Sequence, residues 1–288
     1  MGIKKHNAAI KYIGVFLLTA SVLLTNFYAV RAEDTGTVGT SAQAAAVIEQ
    51  NSGRVLYNKN ADQELPMAST TKIMTAAVAL KYGNLSDVIE VSATAAGVEG
   101  SSMYLECGEK ITLENLLYGL MLLSGNDAAV AIAEHIGGGV DGFVELMNKT
   151  ASELGLSHTH FDNPNGLPSD THYTTALELA KITRYAMSMP EFVQIVSTKS
   201  KTIPWEGKGY DRSMTNHNKL LGSLEGCIGV KTGFTKAAGR CLVSAVNRND
   251  MTLICVTLND PNDWADHASL QNLSLIHISE PTRPEPNS

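Results

Sequence analysis

The chain has 288 residues and carries 22 Lys and Arg against 29 Asp and Glu, a formal net charge of −7. Its first 32 residues hold four of the cations and no acid, so the remainder carries 18 − 29 = −11. Such an acidic protein is unsuited to neutralising phosphates, which excludes nucleic-acid binding as its main role. Hydrophobic residues at 44% and charged residues at 18% exclude a disordered chain and a coiled coil, and the length accommodates one or two domains.

The N-terminal segment has the pattern of a signal peptide. Three lysines precede an apolar run over Tyr12–Val30, and Val30-Arg31-Ala32 offers small residues at the positions that a signal peptidase reads. We therefore expect residues 1–32 to be removed and the mature chain to begin near Glu33. The alternative is an uncleaved membrane anchor, since the run approaches the length of a bilayer span. Both place the rest of the chain outside the cytoplasm.

The first predicted elements after this segment are a β-hairpin and a helix. Short apolar runs over Ala44–Gln50 and Arg54–Asn58 flank Asn51-Ser52-Gly53, which is typical of a hairpin turn. A helix is predicted from Ser69 to Gly83, because apolar residues recur there at helical spacing until the glycine ends the pattern.

The middle of the chain is predicted to be mostly helical, and its end returns to strands. Apolar periodicity predicts helices over Leu113–Leu123, Asp127–Ile136 and Phe143–Leu154. Thr175 and Glu178 make a capping box for a helix that runs to Pro190. Strands are predicted over Ile228–Phe234, Cys241–Asn247 and Thr252–Asn259, with Asn249-Asp250 as a tight turn. This order predicts an α+β fold, in which one antiparallel sheet is closed by distant segments and flanked by a helical block.

Cysteines and histidines show no metal-binding pattern. The four cysteines, Cys107, Cys227, Cys241 and Cys255, lack CxxC or Cys/His spacing. Disulfides are open to an exported chain but are not required at this size, and we expect Cys241 and Cys255, which lie in apolar runs, to be buried thiols. Three histidines, His158, His160 and His172, are expected to face solvent rather than bind a metal.

Ser69 and Lys72 form a candidate nucleophile and base at the start of the predicted helix. Their spacing puts hydroxyl and amine on one helical face, close enough for a neutral amine to take the hydroxyl proton. The helix N-terminus also favours negative charge that develops beside Ser69. Lys72 can act as a base only when neutral, which requires burial or a neighbouring cation. The alternative is a capping serine followed by a surface lysine.

Two further polar motifs have a pattern that fits the same chemistry. Lys231-Thr232-Gly233 falls in a predicted strand, where Lys231 would supply the neighbouring cation and Gly233 would let a ligand backbone lie along the strand edge. In Ser124-Gly125-Asn126, between two predicted helices, Ser124 would relay a proton and Asn126 would orient an amide. The structural alternatives are a polar edge-strand turn for the first motif and helix N-capping for the second.

The order SxxK, SxN and KTG, with these placements, resembles the penicillin-recognising serine acyl transferases, and most closely the low-molecular-weight D-alanyl-D-alanine carboxypeptidases. The longer segments that are similar to that family are Pro66–Thr75, Leu122–Ala129, Asp162–Leu167 and Gly229–Thr235. The likeness covers about Ala44 to Asn262, which is nearly the whole of the expected mature chain.

The resemblance implies a fold and a site. The implied fold is β-lactamase/transpeptidase-like, an antiparallel sheet flanked by helices with an all-helical subdomain. Ser69 is the implied nucleophile, activated by Lys72, and Ser124 assists proton transfer without a metal or an organic cofactor. The backbone N–H groups of Ser69 and Phe234 are the implied oxyanion donors. The implied substrate-binding residues are Asn126, Lys231, Thr232, Gly233 and Phe234, with His217 beside the cleft.

The resemblance also implies an activity and its partners. The terminal D-alanine of a peptidoglycan stem peptide would be removed through an acyl-enzyme, and β-lactams would acylate Ser69 because they present a strained amide in the same pose. The activity would belong to the cell wall or to the outer face of the cytoplasmic membrane. A full-length protein would also associate peripherally with the membrane.

Two other functions are weighed against this one. A class A-like β-lactamase shares SxxK and KTG, but Gly125 stands here in place of the Asp of its Ser-Asp-Asn motif, and Glu153 lacks the Asn four residues later that its ExxxN loop carries. The non-enzymatic alternative is a catalytically silent penicillin-sensing or cell-wall-binding module. An intact set of motif residues argues against it, because a binder needs no base.

The C-terminal end departs from the family. Residues 273–288 resemble the in-frame translation of a transposase-type sequencing adapter, with a genuine Pro-rich linker as the alternative, and both predict a disordered tail. The peptidase domain would then span residues 33–272, and Asp263–Asn272 would be only the beginning of the final helix that covers the sheet in this family. We therefore expect one apolar face of the sheet to be exposed.

Overall fold

A computed structural model describes residues 39–279 of the chain, with side chains described to Asn272. The predicted signal peptide over residues 1–32 lies outside the described residues, as do residues 280–288. Within the described range, every helix is too short or too polar to cross a bilayer.

The strands of the described chain form one main sheet and two small ribbons. The strands are β1 (Ala44–Glu49), β2 (Val55–Lys59), β3 (Val88–Glu90), β4 (Lys110–Thr112), β5 (Ser200–Ile203), β6 (Arg212–Thr215), β7 (Cys227–Thr235), β8 (Gly239–Arg248) and β9 (Met251–Leu258). The main sheet is antiparallel with the order β2-β1-β9-β8-β7, while β3 pairs with β4 and β5 pairs with β6. Because β1 pairs with β9, the predicted closure of the sheet by distant segments is confirmed, and β7 lies at its edge.

Most of the chain between β2 and β7 is helical, and a further helix follows β9. A 3-10 turn over Ala68–Thr71 leads into α1 (Lys72–Tyr82), and the further helices are α2 (Ala93–Ala96), α3 (Leu113–Leu122), α4 (Asn126–Gly137), α5 (Val140–Glu153), α6 (Ala176–Ala186), α7 (Pro190–Ser197), α8 (Leu220–Ser223) and α9 (Asp263–Ser279). α6 packs on β1 and β9, and α7 packs on β7. The helical block therefore covers one face of the sheet.

The main core surrounds α1, which packs against the helices α3 to α7. The first eight residues of α1 are all buried, which is the pattern of a helix with neighbours on every side. Side chains of β1 alternate between the two faces: Ala46 and Ile48 join the main core, whereas Val47 joins a second cluster on the opposite face. The sheet consequently needs an apolar cover on both sides.

The helix predicted from Thr175 to Pro190 ends earlier, at Ala186, and a separate helix begins at Pro190. Thr175 caps α6, since its hydroxyl accepts the Glu178 N–H at 3.1 Å, but α6 ends at Ala186. Pro190 begins α7 instead of ending α6, because its fixed φ and missing N–H suit the first turn of a helix. The Asn249-Asp250 turn is confirmed, with φ angles of 51° and 60° that fit a tight hairpin.

The expectation that one sheet face is exposed is wrong. Helix α9 covers it: Leu270 is buried against Val47, Leu253 and Cys255. His267 is also buried, with Nδ1 2.7 Å from Ser244 Oγ on β8 and Nε2 3.0 Å from Thr257 Oγ1 on β9. These contacts all lie within the part of α9 before Asn272, so the cover forms from the residues expected to begin the final helix.

The backbone of residues 273–279 is helical, in contrast to the disorder expected there. A helix that has already begun extends at little free-energy cost, because each added residue gains a hydrogen bond. The first residue that would stop it is Pro281, outside the described range. The foreign origin of residues 273–288 stays a prediction.

Candidate active site

Ser69 lies in the 3-10 turn that precedes α1, and the loop around Gly166 packs closely against this turn. The preceding residue, Ala68, has a left-handed φ of 48°. A Cβ at Gly166 would lie 2.0 Å from the Ala68 carbonyl oxygen and 2.9 Å from the Ser69 nitrogen. The loop around Gly166 can therefore touch the nucleophile turn only because this residue has no side chain.

Lys72, the first residue of α1, is completely buried beside Ser69. Its Nζ lies 3.0 Å from Ser69 Oγ, 2.7 Å from Asn126 Oδ1 and 2.5 Å from the carbonyl oxygen of Asn165. Burial lowers the pKa of Lys72 well below its ordinary value, the charge of Lys231 lowers it further, and Asp127 opposes the shift. This shift favours the neutral form of the amine, which is the form that a base requires.

All three groups around Lys72 Nζ are oxygens that can accept from it. The Asn126 and Asn165 oxygens can only accept, whereas the Ser69 hydroxyl can also donate. In its neutral form the amine has two N–H bonds for the asparagine oxygens and one lone pair for the Ser69 hydroxyl proton. The geometry therefore allows proton transfer from Ser69 to Lys72 whenever the amine is neutral.

Ser124 and Asn126 enter the cleft from the junction of α3 and α4. Ser124 is nearly buried and has a left-handed φ of 61°. The Asn126 amide is fixed at both ends: Oδ1 accepts from Lys72, and Nδ2 donates to the Glu99 carbonyl at 2.7 Å. Its second N–H has no partner among the described residues, so one donor remains for a ligand.

Asp127 organises the loop that lies over this junction. Its buried carboxylate accepts the backbone N–H groups of Met103 and Leu105 at 3.0 Å and the Ser102 hydroxyl at 2.6 Å. The backbone of Asn126 also donates to the Ser101 carbonyl at 2.7 Å. Residues 101–105 are therefore tied to the start of α4, which fixes one wall of the cleft.

The edge strand β7 forms the opposite wall. Gly233 lets it approach the nucleophile, since a Cβ there would lie 3.1 Å from the Ser69 nitrogen. Thr232, Gly233 and the exposed Phe234 line a cleft of about 260 Å³ together with Ser69, Ser124 and His217. Lys231 is buried behind the strand, where its Nζ donates to the Thr232 carbonyl at 2.8 Å, and burial lowers the pKa of Lys231 to about 7.

His217 lies at the rim of the cleft, and its backbone N–H donates to the Leu122 carbonyl at 3.2 Å. Burial and the charge of Lys231 both lower the pKa of His217. All the residues predicted for the site thus lie in the cleft or directly behind it. Their predicted roles stay a matter for experiment.

Sequence reasoning missed two contributors to the site. Arg240 on β8 lies opposite Phe234 in the strand register, lines the cleft, and donates from Nη2 to Asp263 Oδ1 at 2.9 Å. The sequence feature that could have indicated Arg240 is its position across the predicted hairpin from the strand that carries Lys231-Thr232-Gly233. No sequence pattern indicated the Asn165 carbonyl, although Asn165 lies in one of the segments that resemble the family.

The expectation that His172 faces solvent is wrong. The imidazole is buried, and its Nδ1 accepts the Asp162 N–H at 3.0 Å, so Nε2 carries the proton and donates to Thr71 Oγ1 at 2.8 Å. Thr71 in turn donates to the Ala68 carbonyl at 2.8 Å. Burial lowers the pKa of His172 to about 4. The neutral ring therefore supports the turn that carries Ser69.

The remaining predicted side chains lie away from the cleft. His158 and His160 are on the surface beside Glu64 and Asp162, and no group of three metal-ligating side chains occurs among the described residues. Cys241 and Cys255 are buried thiols, as predicted. Glu153 is exposed and pairs with Lys81 at 2.6 Å, so it does not face Ser69.

A serine hydroxyl 3.0 Å from a buried amine, on an antiparallel sheet flanked by helices, is the arrangement expected of a serine acyl-transfer enzyme with the penicillin-recognising fold. The model of the peptidase S11 family, D-alanyl-D-alanine carboxypeptidase, matches residues 30–262. The chain belongs to this family of serine peptidases.

Individual relatives agree with the family match. The chain is 37% identical over 249 residues to the D-alanyl-D-alanine carboxypeptidase DacF of Bacillus subtilis, a match that covers 85% of this chain and 63% of that protein. It is 37% identical over 274 residues to the D-alanyl-D-alanine carboxypeptidase of Streptomyces sp. K15, covering 90% and 92% of the two chains. The crystal structure of the D-alanyl-D-alanine carboxypeptidase from Mycobacterium tuberculosis superposes with a TM-score of 0.80 at 32% identity, covering 86% and 96%.

Proposed function

We propose that this chain is a serine-type D-Ala-D-Ala carboxypeptidase that removes the terminal D-alanine from peptidoglycan stem peptides through an acyl-enzyme. The observation that carries the proposal is the 3.0 Å contact between Ser69 Oγ and the Nζ of fully buried Lys72. A surface lysine would be an ammonium at neutral pH and could not take a proton, whereas this one is poised to do so.

The proposed acylation begins with proton transfer from Ser69 Oγ to Lys72 Nζ. Ser69 Oγ then attacks the carbonyl carbon between the two D-alanines, and the backbone N–H groups of Ser69 and Phe234 stabilise the oxyanion. As the C–N bond breaks, Ser124 gives its hydroxyl proton to the departing D-alanine nitrogen and takes up the proton held by Lys72. Water later hydrolyses the ester, which returns the hydroxyl to Ser69.

The proposed recognition of the substrate rests on its two polar ends. The free N–H of Asn126 donates to the amide oxygen of the peptide. Lys231, Thr232 and Arg240 hold the terminal carboxylate. Arg240 is added to the substrate-binding residues predicted from the sequence, because a guanidinium keeps its charge near pH 7, where the buried Lys231 is only partly protonated. β-Lactams carry a carboxylate beside a strained amide, so the same groups would position them for acylation.

The cleft favours this function over a β-lactamase. Rapid β-lactam hydrolysis needs a base for the deacylating water, which class A enzymes supply as a glutamate. Among the described residues that line the cleft, Asp263 provides the one carboxylate, and it is already paired with Arg240. A silent binding module is disfavoured because it would have no use for an amine held neutral against Ser69.

Release of D-alanine from diacetyl-Lys-D-Ala-D-Ala is the decisive experiment. The wild-type chain should release it and Ser69→Ala should not, and mass spectrometry after incubation with penicillin should find a stable adduct on Ser69. Rapid turnover of benzylpenicillin would instead favour the β-lactamase, and a penicillin adduct without any D-alanine release would favour the sensing module. Cysteine accessibility gives a folding control, because Cys241 and Cys255 should stay unreactive in both variants.

The proposed place of action is outside the cytoplasm, where peptidoglycan lies. The supports are the signal-peptide pattern of residues 1–32 and the family itself. Peripheral membrane association is part of the proposal. The match to the Bacillus subtilis relative covers 63% of the length of that protein. Detection of a processed N-terminus near Glu33 on the exported protein would test the first point.

A further inference from the structure

A second groove of about 380 Å³ adjoins the catalytic cleft. We call it the side groove; it is lined by Gly100–Tyr104, Leu123, Trp205, Asp211–Ser213 and His217. It shares Ser101 and His217 with the cleft, and Leu123 precedes Ser124 in the chain. The two spaces therefore meet on the Ser124 side of the nucleophile.

The walls of the side groove are held rigidly by Arg212. This residue is 4% exposed, and its guanidinium donates to both carboxylate oxygens of Glu109 at 2.6 and 2.9 Å and to the Tyr104 carbonyl at 3.1 Å. The same guanidinium lies 4.1 Å from the ring centre of Trp205, which meets Tyr210 edge to face. Because the planar guanidinium of Arg212 contacts residues on both walls, it joins them, and the groove is formed before any ligand binds.

Asp211 gives the side groove a negative charge that its surroundings do not neutralise. Among the described residues this exposed carboxylate has no ion pair and no hydrogen bond. The neighbouring cations are already engaged: Arg212 pairs with Glu109, and Lys208 pairs with Glu106 at 2.6 Å. The lowered pKa of His217 keeps this ring neutral at pH 7.

The position of the side groove identifies which part of a reacting molecule would enter it. In the proposed reaction the acyl group becomes attached to Ser69 beside Phe234, while Ser124 serves the amine that departs. The lining of the groove includes neither Ser69 nor Phe234, whereas it includes Leu123, the residue before Ser124. Its occupant is therefore the side chain on the amine, which is only a methyl group for D-alanine and leaves the groove empty.

We propose that the side groove is a subsite for the side chain of an amine with a D-configured α-carbon, and that it prefers a long cationic side chain. The proposal rests on the proposed function. Such an amine would attack the acyl-enzyme in place of water: its nitrogen forms a bond to the acyl carbon as the bond from that carbon to Ser69 Oγ breaks. One proton of the amine passes by way of Ser124 and Lys72 to Ser69 Oγ, so the product is a new amide and the free enzyme.

Competition between two acceptors with the same carbon skeleton, one cationic and one apolar, tests this subsite. The enzyme is given diacetyl-Lys-D-Ala-D-Ala with equal concentrations of D-lysine and D-norleucine, and mass spectrometry measures each transfer product relative to the hydrolysis product. We expect about threefold to fivefold more transfer to D-lysine, the range of one exposed ion pair. Asp211→Asn should bring the ratio close to one, whereas Asp250→Asn, which removes a charge from the distant β8–β9 turn, should leave it unchanged.

Each other outcome has a defined meaning. The subsite would be overturned by equal transfer to both acceptors in the wild-type chain, by no transfer to either acceptor, or by a preference that survives in Asp211→Asn. In each of these cases, release of D-alanine would still uphold the proposed function. Absence of D-alanine release would overturn both. Because Asp211 is exposed and unpaired, its amide variant should fold normally, and the donor hydrolysis of that variant provides an internal reference.

Discussion

Lys72 Nζ and Asn126 Oδ1 lie 2.7 Å apart at the buried floor of the cleft, so the amine proposed as the base faces a neutral carbonyl oxygen. Asn126→Asp would place a carboxylate there with almost no change in shape. An adjacent opposite charge raises a lysine pKa by about 1–3 units, so acylation at pH 7 should slow by about tenfold or more and recover as the pH rises.

The rate of fluorescent-penicillin labelling measured against pH checks this prediction. Asn51→Asp is the matched control, because it adds the same charge at the exposed tip of the β1–β2 hairpin. Unchanged labelling at pH 7 in Asn126→Asp would show that neutral Lys72 is not the base.

The pH dependence of kcat/KM should be bell-shaped because two lysines have opposite requirements. Lys72 must be neutral, which gives the rising limb, and Lys231 must be charged to hold a carboxylate. Since burial lowers the pKa of Lys231 to about 7, its charge is lost as the pH rises through that value and kcat/KM should fall above it.

A substrate with an amidated C-terminus separates the two limbs. Without a carboxylate to bind, its kcat/KM should keep the rising limb and lack the falling one. If the free-acid peptide were cleaved at a constant kcat/KM up to pH 9, the proposed role of Lys231 would be wrong.

Gly166 offers a test of the support beneath the nucleophile. Gly166→Ala would put a Cβ 2.0 Å from the Ala68 carbonyl, so the turn that carries Ser69 must move and penicillin labelling should fall by at least about tenfold. Gly155→Ala is the control: it has a similar left-handed φ, 69° against 86°, but its Cβ would meet nothing within 4 Å.

Both glycine variants should lose about 1 kcal/mol or more of unfolding free energy through backbone strain, measured by urea denaturation. Only Gly166→Ala should also lose labelling of the folded fraction. Equal labelling in the two variants would mean that the contact between the loop and the nucleophile turn has no role in reactivity.

Arg240 should contribute to binding of the terminal carboxylate. Charge-assisted hydrogen bonds contribute about 1.5–3 kcal/mol, so Arg240→Ala should raise KM for diacetyl-Lys-D-Ala-D-Ala by about tenfold or more. The same variant should cleave the C-terminal amide of this peptide about as well as the wild-type chain does. Arg54→Ala, which removes an exposed guanidinium just before β2, should change neither substrate.

Acid should destabilise the fold through His267. Its ordinary pKa is 6.5 and burial lowers it to about 3, so the unfolded chain binds the proton first. Stability from the neutral ring is complete above pH 6.5 and is lost as the pH falls below that value, by about 3 kcal/mol over two pH units. His267→Gln should reduce this difference in unfolding free energy between pH 6.5 and 4.5.

His158→Gln is the control, since His158 is exposed and the adjacent Glu64 raises its pKa. Urea denaturation of the three proteins at both pH values measures the effect. A pH difference that is the same in wild type and His267→Gln would assign acid sensitivity to other groups, among which buried His172 is the first to examine.

The main elements of the fold and the motif residues could be predicted from the sequence for local reasons. A three-residue spacing at a helix start placed Ser69 and Lys72 on one face, and strong alternation and turn residues defined β7, β8 and β9. The capping threonine at 175 was equally evident. The helix boundary after Ala186 could not be predicted, because a proline after a helical pattern can end one helix or begin the next.

Other parts of the site depend on contacts that no local pattern records. The Asn165 oxygen that binds Lys72 belongs to the backbone, which every residue possesses. Arg240 reaches the cleft only because β8 pairs with β7 in one particular register. His172 was expected to face solvent because the sequence around it lacks a metal-binding pattern, whereas its buried ring accepts one hydrogen bond and donates another.

The pairing of β1 with β9, together with the position of β7, has a consequence for the newly made chain. A ribosome delivers Ser69 and Lys72 well before the strands that bury the amine and complete the cleft. Until those strands arrive, the lysine is hydrated and protonated, and the serine beside it is an ordinary alcohol. Reactivity toward penicillin should therefore arise in one late step. The time at which covalent labelling begins would then report when the fold is completed during biogenesis.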